Sequence, residues 1–117
     1  MKILIVEDNP AVRRMLRRAI QQVASQLWEC EDGADALATY TQHVPHVVLM
    51  DIRMPQMDGF AATRQIRAFD PSARIVIVTD DDEDELRVAA REAGACAYVT
   101  KENLTELATL LARLVEI

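Results

Sequence analysis

The sequence lacks several features that would place it in a membrane, secreted or metal-thiolate class. No apolar run approaches the ~20 residues of a membrane-spanning helix, and the opening MKILIVEDNP turns acidic too early for a signal peptide. The only cysteines, Cys30 and Cys96, are far apart and without metal-ligand spacing. We therefore expect a cytoplasmic protein with no membrane segment and two reduced core thiols, a disulfide being the weaker reading.

Positive charge is also scarce, because 13 Lys and Arg residues face 19 Asp and Glu residues and leave a net charge of -6. This balance argues against non-specific binding to nucleic acid or to anionic membranes. Half of the 117 residues are hydrophobic, which suffices for one core. Since no repeat, linker or low-complexity segment interrupts the chain, we predict a single domain over residues 1–117.

Strand-like and helix-like segments alternate five times along the chain. Continuous Val- and Ile-rich runs are typical of strands buried on both faces of a parallel sheet. Pro10 after Asn9 predicts a helix start and Gly94 a helix end, while Asn103 with Glu106 resembles a capping box that would open the last helix. The predicted strands cover 3–6, 26–30, 46–50, 74–78 and 95–99. The predicted helices begin near 10, cover 33–43, 59–69 and 83–93, and run from 103 to Ile117.

This alternation predicts an α/β protein of the (βα)5 flavodoxin-like class, a doubly wound parallel five-stranded sheet in the order 2-1-3-4-5. Helices would cover both faces of the sheet. In this order Cys30 and Cys96 belong to opposite edge strands, which makes their pairing implausible. We also expect Met15 and Trp28 in the core, and Val44 on the buried side of the second helix.

Acidic residues collect where such sheets bind ligands, beyond the carboxyl ends of the strands at the switch in strand order. Glu7 and Asp8 follow the first strand and Asp51 follows the third, while Thr79 and Lys101 follow the fourth and fifth. Three neighbouring carboxylates repel one another unless a cation relieves them. Mg²⁺ and the Lys101 ammonium are the two candidates. Such a site suits a phosphoryl group, with Asp51 as the nucleophile.

Four segments in the right order resemble the receiver domain of two-component response regulators. ILIVEDN is similar to the acidic-pair strand of this family, and VVLMDIRMPQMDG to its phosphoacceptor segment. IVIVT resembles the strand that bears the switch threonine, and GACAYVTK the strand that bears an aromatic residue and the lysine. The resemblance covers essentially the whole chain, and it implies a phosphorylation-controlled switch rather than an ordinary enzyme.

The resemblance also implies a role for each site residue. Asp51 would accept a phosphoryl group from a phosphohistidine on a sensor histidine kinase or phosphotransfer protein. Asp8 and Asp51 would bind Mg²⁺ directly, Glu7 through water, and Arg53 through its backbone carbonyl. Lys101 would contact the phosphoryl oxygens, and the domain would catalyse its own phosphotransfer and slow dephosphorylation.

The switch itself would involve Thr79 and Tyr98. The resemblance implies that Thr79 moves toward the phosphoryl group and that the side chain of Tyr98 then turns inward behind it. The face formed by helix 4, strand 5 and helix 5 then changes shape, as a two-state element biased by local electrostatics does. Tyr98 as a plain core aromatic is an equally good interpretation of the sequence.

Two departures from the family pattern are informative. Glu102 replaces the proline that usually follows the lysine. Because a cis peptide bond is costly without proline, the Lys101–Glu102 bond could be trans. A lysine followed by an acidic residue also resembles the NarL/LuxR-type subgroup. Asp80 stands where a small residue is usual. It could repel the phosphodonor, or pair with Arg53 across the mouth of the site.

Several alternatives stay open on the sequence alone. The chain could be a receiver whose DNA-binding output domain is separate, a stand-alone receiver, or a pseudo-receiver that binds partners without phosphorylation. Homodimerisation on phosphorylation is possible. The arginines of the first helix form either a solvated face or a docking surface for the kinase. A dehalogenase-type phosphatase is disfavoured by Arg53, which stands where a second acid is needed, and a flavodoxin by the acidic EDNPAV.

Overall fold

The computed structural model describes residues 1–115. Its five strands form one parallel sheet in the order β2-β1-β3-β4-β5, which confirms the predicted flavodoxin-like class. Short 3-10 turns cover Gly33–Asp35 and Lys101–Glu106. The strands are β1 (Lys2–Val6), β2 (Gln26–Cys30), β3 (Val47–Met50), β4 (Ile75–Thr79) and β5 (Ala97–Thr100), and the helices are α1 (Pro10–Ile20), α2 (Ala36–His43), α3 (Gly59–Phe69), α4 (Asp84–Ala93) and α5 (Leu107–Leu114).

The central strands carry continuous apolar runs because both of their faces are covered. Alternate side chains of β1 point to opposite sides, so that Leu4 and Val6 join one core cluster and Ile3 and Ile5 join the other. The first cluster includes side chains of α2, α3 and α4, and the second includes side chains of α1 and α5. This two-sided packing makes the central strands a rigid base for the residues that follow them.

The helix boundaries follow local capping chemistry at most positions. The side-chain oxygen of Asn9 accepts from the backbone N–H of Ala11 at 2.9 Å, and Pro10 opens α1 as predicted. Gly94 ends α4 with φ of 106°, a left-handed conformation that glycine adopts without steric cost. The predicted limits of α3 are also the observed ones.

The prediction for the start of the last helix is wrong. The side chain of Asn103 donates to the Thr100 hydroxyl at 3.0 Å instead of capping a helix, and Asn103 itself has non-helical φ and ψ. Because this bond ties the segment to the end of β5, a 3-10 turn intervenes and α5 begins at Leu107. The predicted end of this helix at Ile117 lies outside the described residues.

Some core assignments also differ from expectation. Met15 is 47% exposed because its neighbour Leu16 occupies the core-facing position of α1. Val44 ends α2 in the left-handed region with φ of 45° and is 57% exposed. Trp28 is half-buried and its ring stacks on another side chain. Both cysteines are free, but Cys30 is buried and Cys96 is exposed, so the core prediction is right for the first and wrong for the second.

Candidate functional site

Three carboxylates meet at the carboxyl edge of the sheet, between β1 and β3. The strands pair so that Val6 at the end of β1 lies opposite Met50 at the end of β3, and Glu7 and Asp51 are the residues that follow. The Asp51 backbone N–H donates to the Val6 carbonyl at 3.0 Å. As a result, one oxygen each from Glu7, Asp8 and Asp51 lies within 4.8 Å of the others. The structure thus brings together the acids that the sequence placed at these strand ends.

Lys101 enters the same cluster from the end of β5. Its Nζ lies 3.0 Å from Glu7 Oε1 and 3.7 Å from Asp51 Oδ1. Glu7 is 1% exposed and Asp51 is 8% exposed, whereas Asp8 is open to solvent. The buried part of the site therefore holds two carboxylates against one ammonium, and Asp8 adds a third negative charge at the surface.

This excess of negative charge changes how the groups bind protons. Burial, and then the charge of Asp51, raise the pKa of Glu7 to about 7. Burial also raises the pKa of Asp51, although Lys101 opposes the shift. Burial by itself would lower the pKa of Lys101, but the charges of Asp51 and Glu7 outweigh it and raise that pKa. Without a further cation, the cluster therefore retains a proton near neutral pH.

The donor atoms fit a hard divalent cation. The site offers carboxylate oxygens from three residues, which is the ligand chemistry that Mg²⁺ and Ca²⁺ prefer. Glu7 Oε1 is fully buried and has no aligned hydrogen bond, its polar neighbour being the Lys101 ammonium. The Lys101 ammonium offsets one of the negative charges of the cluster, and a divalent cation would offset the others. Glu7, Asp8 and Asp51 are thus the residues that could hold a metal.

The remaining predicted residues lie around this cluster. Thr79 ends β4, is 5% exposed, and accepts a backbone N–H from Asp81 at 3.4 Å. The hydroxyl of Tyr98, a half-buried residue of β5, donates to the Asp81 carbonyl. The Arg53 guanidinium pairs with the Asp81 carboxylate at 3.3 Å, so the alternative in which Arg53 pairs with Asp80 is wrong. Asp80 is exposed.

Asp81 is held by its backbone as well as by its side chain. Its N–H donates to Thr79 of β4, its carbonyl accepts from Tyr98 of β5, and its carboxylate accepts from the Arg53 guanidinium. The Lys101–Glu102 peptide is trans, since the backbone of residues 1–115 contains no cis bond.

The sequence reasoning missed three residues that shape the site. Arg13 Nη1 donates to the carbonyls of Glu7 at 2.8 Å and Asp8 at 3.2 Å, so this arginine supports the acidic turn rather than offering a free surface. A Cβ on Gly59 would lie 1.9 Å from the Asp51 carbonyl oxygen. Asp32 binds the loop after Asp51. The Asp-Gly pair at 58–59 was a usable signal for the glycine, but it indicated only a turn.

The arginines of α1 are not equivalent in the structure. Arg13 and Arg17 both pair with Glu29 on β2, at 3.3 Å and 2.6 Å. Arg14, Arg17 and Arg18 line a groove of about 500 Å³ between α1 and the start of β2. The kinase-docking interpretation of this helix stays a prediction.

Fold and site together define a class: a doubly wound α/β domain with an acidic, lysine-containing site at the switch point of its sheet. The model of the response regulator receiver domain family matches residues 3–113. The chain therefore belongs to this family, and it is a receiver domain of the kind found in two-component response regulators. None of the helices in the described part of the chain has the length and hydropathy to span a bilayer.

Individual relatives agree with this assignment. The chain is 36% identical over 100 residues to the chemotaxis protein CheY of Halobacterium salinarum, an alignment that covers 86% of this chain and 83% of CheY. It is 37% identical over 117 residues to the regulatory protein AtoC of Escherichia coli, covering 99% of this chain and 25% of AtoC. A LuxR-family response regulator from Aurantimonas sp. SI85-9A1 has a similar structure, with a TM-score of 0.89, 35% identity, and coverage of 97% of this chain and 83% of that chain.

Proposed function

We propose that this receiver domain is phosphorylated on Asp51 and that the phosphorylated form controls an output. The observation that carries the proposal is the position of Asp51. Its carboxylate stands at the end of a fully buried strand, lies with those of Glu7 and Asp8 in one cluster, and has the Lys101 ammonium 3.7 Å away. A nucleophile held in this way needs little reorganisation before it reacts.

The reaction is a phosphoryl transfer to a carboxylate. An Asp51 oxygen attacks phosphorus, a P–O bond forms, and the P–N bond of a phosphohistidine breaks, with its electron pair leaving on the imidazole nitrogen. Lys101 is placed to neutralise the phosphoryl oxygens, and the Thr79 hydroxyl can donate to one of them. Attack by water on the acyl phosphate returns Asp51 and phosphate, which is the slow self-catalysed reversal that we include in the proposal.

Mg²⁺ is the cofactor that we propose for this site. When bound, it supplies positive charge that offsets the incoming phosphoryl oxygens. Asp8 and Asp51 would hold it directly, Glu7 through water, and Arg53 through its backbone carbonyl. The all-oxygen donor set and the close grouping of three carboxylates support this assignment.

The switch would pass through the loop that follows β4. The backbone of Asp81 already joins Thr79 to Tyr98 through two hydrogen bonds. A movement of Thr79 toward Asp51 would therefore shift Asp81 and, through it, Tyr98. The tyrosine ring also carries the Arg87 guanidinium, whose central carbon is 4.6 Å from the ring centroid. We propose that this chain of contacts reshapes the face formed by α4, β5 and α5.

The partners belong to the same proposal. The phosphodonor is a sensor histidine kinase or a phosphotransfer protein in the cytoplasm, and residues 1–117 act as one receiver unit. DNA would be contacted only through a separate output domain; the regulatory protein AtoC, of which this chain covers 25%, is long enough to include further domains. Phosphorylation would favour a homodimer. Analytical ultracentrifugation with and without beryllofluoride, a mimic of the bound phosphoryl group, tests the dimer. We expect the sedimentation coefficient to increase only in the sample with beryllofluoride.

Intact-mass spectrometry tests the phosphorylation directly. The protein is incubated with Mg²⁺ and acetyl phosphate, whose P–O bond breaks to release acetate. We expect a gain of one phosphoryl group that disappears in Asp51→Asn and in EDTA, while the exposed Asp84→Asn control behaves as wild type. No mass gain in the wild-type protein would favour the pseudo-receiver, a domain that binds partners without being phosphorylated.

A further inference from the structure

Asp32 is a buried carboxylate that accepts three backbone hydrogen bonds. It follows β2, is 7% exposed, and takes N–H groups from Ala34 at 2.9 Å, Gln56 at 2.8 Å and Met57 at 3.0 Å. The first bond is local and forms the 3-10 turn. The other two reach 24 and 25 residues along the chain, into the loop that leaves β3 immediately after Asp51.

The loop also rests on the backbone next to Asp32. A Cβ on Gly33 would lie 2.5 Å from the Met57 carbonyl oxygen and 3.2 Å from that of Asp58. This contact leaves no room for a side chain, so the turn after β2 and the loop after β3 are packed backbone to backbone. Asp32 and Gly33 thus support residues 56–58 of this loop.

The hydrogen bonds keep the buried carboxylate charged. Burial would raise the pKa of Asp32, but the three N–H donors outweigh this effect and lower it. Bonds from N–H groups to an ionised acceptor are about twice as strong as neutral ones. Without this acceptor, the N–H groups of Gln56 and Met57 would have to find water or another partner, and the loop would lose its fixed path.

The loop is therefore held at its far end and at its middle. At its far end, the Gly59 N–H donates to the Ile52 carbonyl at 2.7 Å, and the Asp58 side chain caps α3 through the Ala61 N–H at 2.9 Å. At its middle, the Asp32 carboxylate holds Gln56 and Met57. Arg53, whose carbonyl the proposed metal site uses, lies in the stretch between Asp51 and these anchors.

We infer that Asp32 is a positioning residue that holds the loop after Asp51 in the shape required for binding a divalent cation. The inference rests on the proposed function, because it assigns Asp32 an effect on the metal site at Asp51. Residues that support metal ligands from behind alter affinity without touching the ion, by about 10- to 100-fold when removed. Asp32 is thus expected to set cation affinity through the loop.

The three hydrogen bonds provide a graded test. Oδ1 accepts from Ala34 and Met57, and Oδ2 accepts from Gln56. Asp32→Asn keeps one acceptor oxygen and places an amide N–H₂ against a donor, whereas Asp32→Ala removes both oxygens. Asp35→Ala is the matched control, since Asp35 is an exposed acid of the same turn with no capping bond from its side chain.

Mg²⁺ affinity is measured by calorimetry on variants shown to be folded by circular dichroism. We expect a dissociation constant raised about 10-fold in Asp32→Ala and less in Asp32→Asn, with Asp35→Ala unchanged. Amide exchange of Gln56 and Met57 in the metal-free protein should accelerate in the same order. In acetyl phosphate assays, the Mg²⁺ concentration for half-maximal rate should rise while the rate at saturating Mg²⁺ stays near wild type.

The outcomes separate this inference from the proposed function. Wild-type Mg²⁺ affinity in both folded Asp32 variants overturns the inference and leaves phosphorylation of Asp51 standing. A lowered rate that saturating Mg²⁺ does not restore also overturns it, because the defect would then lie elsewhere. If the wild-type protein neither binds Mg²⁺ nor gains a phosphoryl group, the proposed function fails and this inference fails with it. If Asp32→Ala does not fold, Asp32→Asn alone decides.

Discussion

Raising the pH should destabilise the metal-free protein in part through the buried carboxyl group of Glu7. Glu7 has a pKa of about 7 in the folded protein, against 4.5 for an ordinary glutamate, because of burial and then the charge of Asp51. As the pH rises past 4.5, the unfolded chain releases this proton while the folded protein keeps it. Stability contributed by the protonated group is therefore complete below pH 4.5 and is lost progressively up to about pH 7.

The size of the effect follows from the difference between the two pKa values. A change from 4.5 to about 7, at about 1.4 kcal/mol per unit, corresponds to a loss on the order of 3 kcal/mol. A small domain has a total free energy of unfolding of about 5–15 kcal/mol. The acidic cluster thus consumes a substantial share of the stability that the core provides, and a bound cation would restore it.

Urea unfolding in EDTA at pH 5 and pH 8 measures this loss. We compare the wild-type protein with Glu7→Gln, which cannot titrate, and with Glu92→Gln, a control on the exposed side of α4. The wild-type protein should lose about 3 kcal/mol more than Glu7→Gln between the two pH values, and Glu92→Gln should follow the wild type. Saturating Mg²⁺ should remove the difference at pH 8, because a cation at the proposed site would offset the negative charge of the deprotonated Glu7.

Equal pH dependence in the wild-type protein and in Glu7→Gln would refute this reasoning. It would mean that Glu7 ionises in the folded protein as easily as in water, and that burial beside Asp51 carries no cost. If the wild-type protein instead gained stability relative to Glu7→Gln as the pH rises, the effect of pH on the free energy of unfolding would have the opposite sign. That result would show that the ion pair with Lys101, 3.0 Å away, outweighs desolvation.

Three further substitutions test other parts of the structure. Gly59→Ala should destabilise the protein by about 2 kcal/mol or more, as measured by urea unfolding, because its Cβ would lie 1.9 Å from the Asp51 carbonyl oxygen; an unchanged midpoint would contradict the close approach. Asp80→Ala should raise the rate of phosphorylation by acetyl phosphate about two- to fivefold at low salt, since it removes an exposed negative charge beside the site; equal rates would remove that idea. Val44→Asn should stabilise by about 1 kcal/mol in thermal unfolding, because Val44 is exposed and left-handed; a lower melting temperature would argue against strain there.

Most of the fold could be predicted because it depends on periodic and local signals. β3 is apolar at every position, and β1 and β4 are apolar except for Lys2 at the start of β1 and Thr79 at the end of β4. Such continuous apolar runs are typical of strands covered on both faces. The start of α1 at Pro10 and the end of α4 before Gly94 followed from capping and backbone preferences. The start of α5 did not, because Asn103 bonds to Thr100 in the neighbouring strand end instead of capping its own helix.

The candidate site was predictable to the same degree. Once the strand order was inferred, the residues that end β1, β3 and β5 had to meet at one edge, and Glu7, Asp51 and Lys101 do so. The supporting contacts were not predictable. Arg13 reaches two carbonyls, and Arg53 pairs with Asp81 rather than Asp80, because of side-chain directions that no spacing in the chain specifies.

The sequence by itself determined which side chains are gathered, because strand burial and the order of a parallel sheet set the positions of the strand ends. Only the tertiary structure decided how the loops between those strands are held. The Asp32 carboxylate binds N–H groups 24 and 25 residues away, and Gly33 packs against the same loop. Loops have no periodicity that would reveal such contacts, since their paths depend on the surfaces that other elements present to them.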